Sequence, residues 1–149
     1  MSGYANLMML AGLNGKIGKN EVIESLKKVG LEQSMKKKVA KYSLGMRQRL
    51  GIAQAIMENP SVLILDEPFV GLDPKASVVL KEMMHTLCDN GGAIFFSTHV
   101  LDVAEKLCNK VAIIKNGNLI ASGKMEDIVA EGTSLESIFM EVVEDVKTN

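Results

Sequence analysis

Two adjacent carboxylates, Asp66-Glu67, close a continuous apolar run, and Pro68 follows at once. At the carboxyl end of a dry strand such a pair suits a division of labour. Asp66 could hold a hard cation through water, since Mg²⁺ keeps much of its hydration shell. Glu67 could orient or deprotonate an attacking water. The plain alternative is that both carboxylates cap or solvate a loop. Pro68, which bars continuation of a strand ladder, and the nearby Gly71-Leu72-Asp73 weigh against it. His99 follows a second apolar run, within "STH". A histidine after a strand is more often a loop residue, but beside a phosphate a neutral imidazole could donate one hydrogen bond and sense that group. Ser43-Leu44-Gly45 precedes a helical pattern, and Ser43 is a natural N-cap. The free N–H groups of a helix start carry about half a positive charge and attract phosphate, and Gly45 lets that backbone approach closely. Each such interaction contributes about 0.3–1 kcal/mol when exposed, enough to assist a phosphate site but not to form one alone.

These groups need elements to position them. Residues 4–13 are apolar and predict a short helix, followed by the loop "NGKIGKN". Residues 21–29 set Val22, Leu26 and Val29 on one helical face, with Gly30 placed to end it. After a lysine-rich connection, residues 45–57 carry Met46, Leu50, Ala53 and Met57 at helical spacing, with Arg47, Arg49 and Gln54 off that stripe. Residues 61–65, "SVLIL", and 93–96 read as short strands covered on both faces. Asp73-Pro74 starts a helix, because Asp caps and Pro lacks only an N–H that has no partner there. Val79, Leu80, Met83, Met84 and Leu87 form its buried stripe and "DNGG" ends it. Val100, Val103, Ala104 and Leu107 pattern another helix. Residues 111–115 and 118–121 flank Asn116-Gly117, a hairpin signal because both turn positions want positive φ. Residues 135–145 predict a last helix, acidic on its outer face. This order predicts an α/β layer structure with a largely parallel sheet. Ligands bind beyond the carboxyl ends of such strands, where both "DE" and "STH" fall.

The totals bound the function. The 149 residues are 47% hydrophobic and 23% charged, an ordinary globular composition for one domain or a piece of a larger one. The formal net charge of −1 gives no pull toward nucleic acid or an anionic membrane. The charge is uneven: residues 16–41 are lysine-rich, and the run Lys36-Lys37-Lys38 reads as a solvated surface, whereas residues 126–145 are acidic. Cys88 and Cys108 lack metal-ligand spacing and read as two reduced, partly buried thiols. No apolar run approaches the roughly 20 residues of a membrane span, and the first residues lack the charge of a signal peptide. The chain is expected to be soluble and intracellular.

The stretch "YSLGMRQRLGIAQAIMENPSVLILDEPFVGLDP", followed by "FFSTH", resembles the nucleotide-binding domain of ATP-binding cassette (ABC) transporters, most nearly the bacterial exporter-type ATPases. "NLMMLAGLNG" and "LESIFMEV" extend the resemblance over nearly the whole chain. It implies a partial P-loop NTPase core with a mainly parallel sheet plus an α-helical signature subdomain. The helical subdomain would take residues 1–58, the core strands 59–123 and a C-terminal helical segment 124–149. Residues 42–46 fall at the family signature, which contacts the γ-phosphate of ATP held by the opposite subunit. Here Ser43 and Gly45 match the common "LSGGQ" form, whereas Leu44 and Met46 replace a glycine and a polar amide. Asp66 matches the Walker B aspartate near Mg²⁺ and Glu67 the water-activating base. Asp73 ends the D-loop, which crosses the dimer interface, and His99 matches the switch histidine.

The resemblance further implies ATP and Mg²⁺ as ligands, a second nucleotide-binding domain, a transmembrane permease subunit and no nucleic acid. It places the protein in the cytoplasm, against the inner face of the cell membrane through that permease. A P-loop needs G-x-x-x-x-G-K-[ST]. Gly15-Lys16, Gly18-Lys19 and Gly123-Lys124 lack the upstream glycine, and none is followed by Ser or Thr. The chain is therefore expected to be the C-terminal part of an export ATPase subunit, inactive alone, with an uncovered strand edge that favours self-association. A different class of function, a non-catalytic module lending its signature in trans to a complete ATPase, fits the same motifs. No coiled-coil arm or duplicated cassette supports a third, an ABC protein of DNA repair or translation.

Overall fold

In the computed structural model, which describes residues 1–145, Met1–Ser97 forms one unit and a second starts at Thr98. The first unit opens with α1 (Gly3–Asn14), capped by Ser2, whose hydroxyl accepts the Ala5 N–H at 3.2 Å. Helix α2 (Lys19–Lys28) begins with Glu21 reaching back to the Gly18 N–H at 3.0 Å, which satisfies one orphan donor of the helix start. Its end is a Schellman motif. Gly30 takes φ 68° and donates to the Lys27 carbonyl, while Leu31 N–H reaches Leu26 O at 2.8 Å. The buried Leu31 side chain seals this turn. Gly30 thus ends the helix as its sequence position predicts.

Two 3₁₀ turns (Glu32–Ser34 and Val39–Lys41) bracket the exposed Lys36-Lys37-Lys38 run. Tyr42 then turns inward, only 4% exposed, and donates its hydroxyl to Ser34 O at 2.8 Å. Helix α3 (Leu44–Ile56) buries Leu50, Ile52, Ala53 and Ile56. Arg49 projects from it to the Gly45, Val29 and Gly30 carbonyls. That guanidinium fastens α3 to the C-terminal end of α2, where a cation suits the helix dipole. Helix α1 packs on α2 and α2 on α3.

Strands β1 (Val62–Asp66) and β2 (Ala93–Ser97) pair in parallel, with Val62 opposite Ala93, Ile64 opposite Phe95 and Asp66 opposite Ser97. The crossover is α4 (Pro74–Asp89), which lies against β2. Asp73 caps α4 by accepting the Ala76 N–H at 2.8 Å, with Pro74 in the first turn, and Ala76, Leu80, Met83 and Met84 are buried. One expectation fails here. Neither strand is covered on both faces: Leu63 is buried, but Val62, Ile64 and Phe95 are 58%, 74% and 64% exposed. Successive side chains of a strand point to opposite faces, so an apolar run fills two faces, and the described residues cover only one. Cys88 also departs from expectation. It is exposed on α4, one position past the inward stripe, whereas Cys108 is half-buried; both thiols are free.

In the second unit, α5 (Leu101–Leu107) precedes the antiparallel pair β3 (Lys110–Lys115) and β4 (Asn118–Lys124). Asn116 and Gly117 both take positive φ, 52° and 77°, as the tight hairpin turn requires. Short α6 (Met125–Ile128) follows, then α7 (Leu135–Asp145), whose first N–H is accepted by the Glu105 carboxylate of α5 at 2.7 Å. Ala104, Met125 and Leu135 form this unit's core, with Leu101, Cys108, Val111, Ile128 and Val129 packed around them. The architecture is α/β, with one parallel and one antiparallel sheet among the described residues.

Candidate functional site

Parallel pairing brings Asp66 and Ser97 side by side at the carboxyl ends of β1 and β2. The Ser97 hydroxyl donates to Asp66 Oδ1. It also accepts the Glu67 N–H at 3.1 Å, a bond shared with the Ser97 carbonyl at 3.2 Å. Asp66 is therefore an exposed carboxylate oriented by a neighbouring strand. Among the described residues no cluster of three or more His, Cys, Asp or Glu could hold a metal by itself. Any cation at Asp66 must bring water or phosphate oxygens as its remaining ligands, which is how Mg²⁺ is usually bound.

Glu67 leaves the sheet with φ 45°, the left-handed region that costs a non-glycine residue about 1–3 kcal/mol. A residue before proline is normally extended, so this geometry is imposed by surroundings. Behind it, Ser97 holds the Glu67 N–H. Ahead of it, the Glu67 carbonyl accepts both the Val70 N–H at 3.2 Å and the Gln48 side-chain amide at 3.2 Å. Pro68 is fully buried, and Phe69 packs edge-on against Phe96 with centroids 5.9 Å apart. The loop ends at Gly71, φ 74°, and at Asp73, whose carboxylate serves as the α4 cap.

The start of α3 adjoins this loop. Ser43 Oγ accepts the Met46 N–H at 3.2 Å, and the first helical bond runs from Arg47 N–H to Ser43 O. The Leu44 and Gly45 amides thus precede the helical ladder, where N–H groups face outward. Gly45 has a reason to be glycine, because a methyl there would meet the Gly71 carbonyl oxygen at 2.5 Å. Leu44, 58% exposed, lies over Gly71, where an added methyl would strike its side chain at 2.8 Å. Met46 is half-buried. Residues 43–46 and 66–73 therefore meet within the first unit. His99 is exposed in the second unit, two residues beyond β2, where Thr98 Oγ1 accepts the Val100 N–H at 3.0 Å.

The family model for ABC transporters matches residues 5–70, a span that runs from within α1 past β1 and holds both carboxylates. The bacitracin transport ATP-binding protein BcrA of Enterococcus faecalis is 40% identical over 129 residues, 86% of this chain. The ABC transporter ATP-binding protein YdbJ of Bacillus subtilis is 42% identical over 127 residues, 85% of this chain. The solved ATP-binding subunit of an ABC transporter superposes over 96% of this chain with a TM-score of 0.84 and 32% identity. Over most of its length the chain is similar to the ATP-binding domain of ABC transporters.

The chain spans 42% of BcrA, 41% of YdbJ and 62% of the solved subunit. A dimeric ATP-binding cassette bound to ADP and phosphate, 22% identical with a TM-score of 0.76, has the same fold over 85% of the chain. Three features of this ABC fold escape a reading of the sequence. Ser97 becomes Asp66's partner only through the register of two strands separated by α4. Gln48 looks like one more polar helix residue, and Arg49 merely lies off the apolar stripe. The left-handed Glu67 has no sequence signal at all, since glutamate and a following proline both argue against it.

Proposed function

We propose that this chain supplies the signature and Walker B parts of the ATP site in an ABC transporter subunit that powers export through a separate membrane subunit. The carrying observation is the meeting of the α3 start with the Glu67 loop within the first unit. In this role Asp66, steadied by Ser97, holds a hydrated Mg²⁺, which when bound neutralises charge on the phosphates. Glu67 acts as the base that orients and deprotonates the attacking water. Ser43 and the amides of Leu44, Gly45 and Met46 contact the γ-phosphate of ATP held by a second nucleotide-binding domain. Asp73 stands in the loop that crosses that interface, and His99 senses the phosphate. The backbone cradle and lysine for the β- and γ-phosphates come from residues other than these, because none of the three Gly-Lys pairs has P-loop spacing. The name of BcrA, a bacitracin transport ATP-binding protein, supports transport as the work performed. No described helix is long and apolar enough to cross a membrane. The exposed signature turn also fits a module acting in trans, but a glutamate held in costly geometry favours descent from a working catalyst.

Calorimetry with Mg-ATP tests the reading. The 149-residue chain should show no saturable micromolar binding and no turnover above background. Adding a P-loop-bearing segment of a relative such as BcrA should produce hydrolysis that Glu67→Gln abolishes. Turnover by the chain alone that disappears in Glu67→Gln would overturn the half-site assignment.

A further inference from the structure

Leu44 and Gln48 are four residues apart on α3 and therefore share one face of the helix. Both touch the loop that follows β1. Leu44 covers Gly71, and the Gln48 amide donates to the Glu67 carbonyl at 3.2 Å. Between them Gly45 brings the α3 backbone against the Gly71 carbonyl so closely that no side chain fits. The two peptide groups of Glu67 are thereby held by different elements, the preceding one by Ser97 of β2 and the following one by Gln48 of α3. The second hold is what a left-handed glutamate needs, because its own preference would swing the Glu67–Pro68 peptide toward extended backbone.

We propose that Gln48 is a positioning residue for Glu67: with Leu44 over Gly71, it clips the loop that carries the base to the signature turn. The inference rests on the ATP-site reading for its purpose but not for its geometry. The clip makes the α3 start and the Glu67 loop move as one body, so a phosphate that seats the signature turn also sets the direction of Glu67. Leu44, where the common signature has glycine, supplies the apolar half of the clip. A glycine there would leave Gly71 uncovered and the hydrogen bond alone.

Amide NMR of the full 149-residue chain tests the clip without nucleotide. In Gln48→Ala the Glu67 carbon shifts should move from left-handed toward extended values, and exchange of the Val70 N–H should rise roughly five- to tenfold, the loss of about one hydrogen bond. Amides inside α4, such as Leu80, should keep their wild-type rates. Gln48→Lys, which retains a donor and the reach, should restore the Glu67 shifts. Unchanged Glu67 and Val70 signals in Gln48→Ala would overturn the proposal. So would acceleration spread equally through α4, or failure of lysine to rescue. In the enzyme completed with a P-loop segment, Gln48→Ala should lower kcat about tenfold at constant KM for ATP. A raised KM with kcat intact would refute positioning. Because the NMR arm needs no ATP, failure of the chain completed with a P-loop segment to hydrolyse ATP would sink the ATP-site reading and leave the clip standing.

Discussion

Glu67 combines a carboxylate suited to proton transfer with a backbone conformation that opposes folding. Its left-handed φ of 45° is maintained by Ser97, Val70 and Gln48, so the surrounding bonds offset a local cost. Strain of this kind gathers where a side chain must point in an unfavourable direction for a purpose. The consequence is measurable. Glycine carries no penalty at positive φ, so Glu67→Gly should stabilise the chain by roughly 1 kcal/mol in urea unfolding, whereas Glu67→Val should destabilise it. A Glu67→Gly protein no more stable than wild type would show that the loop bears no strain. Gly45 and Gly71 illustrate the opposite economy: a side chain at Gly45 would strike the Gly71 carbonyl, and one at Gly71 would meet the Leu44 side chain from a left-handed backbone.

At the scale of elements, Tyr42 joins α1, the 3₁₀ turns and α3. Its ring abuts Gly3 at the start of α1 and its hydroxyl bonds to Ser34 O at 2.8 Å. Burial raises the Tyr42 hydroxyl above its ordinary value of 10.0. The folded chain thus holds this proton more tightly than the unfolded chain does. That contribution is complete below the unfolded value and is lost as pH rises from about 10 through the folded value. Thermal unfolding should therefore show stability falling above pH 10, with a shallower fall in Tyr42→Phe. Equal slopes in the two proteins would disprove the linkage. At neutral pH the same variant should lose about 1 kcal/mol, one partly buried hydrogen bond.

For the whole molecule, the exposed face of β1 and β2 matters most. Val62, Ile64 and Phe95 make a continuous apolar strip on a two-stranded sheet, an arrangement that rarely stands alone in water. The purified chain should self-associate at micromolar concentration in light scattering. Replacing Ile64 and Phe95 with threonine should reduce that association without removing the buried Leu63. A monodisperse wild-type monomer would contradict this. The expectation of an uncovered strand edge rests on the missing P-loop pattern, whereas the exposed apolar face emerges from strand alternation and register.

What the amino-acid sequence determined by itself was local. Ser43 and Asp73 cap their helices, Gly30 ends α2, and Asn116-Gly117 turns the hairpin, because caps and turns depend on a few neighbouring residues and the φ each permits. Asp66 and Glu67 were legible as adjacent carboxylates at a strand end, and Ser43 as the cap of a helix start, because each is a contiguous pattern. Tertiary structure decided what lies between elements. Ser97 reaches Asp66 across a strand register, Gln48 grips the loop from another helix, and the faces of β1 and β2 remain open on one side. A short apolar run looks alike whether one face or both are covered. A glutamine on a helix looks alike whether it meets water or a strained carbonyl. Those distinctions depend on residues far away in the chain, and only packing brings them together.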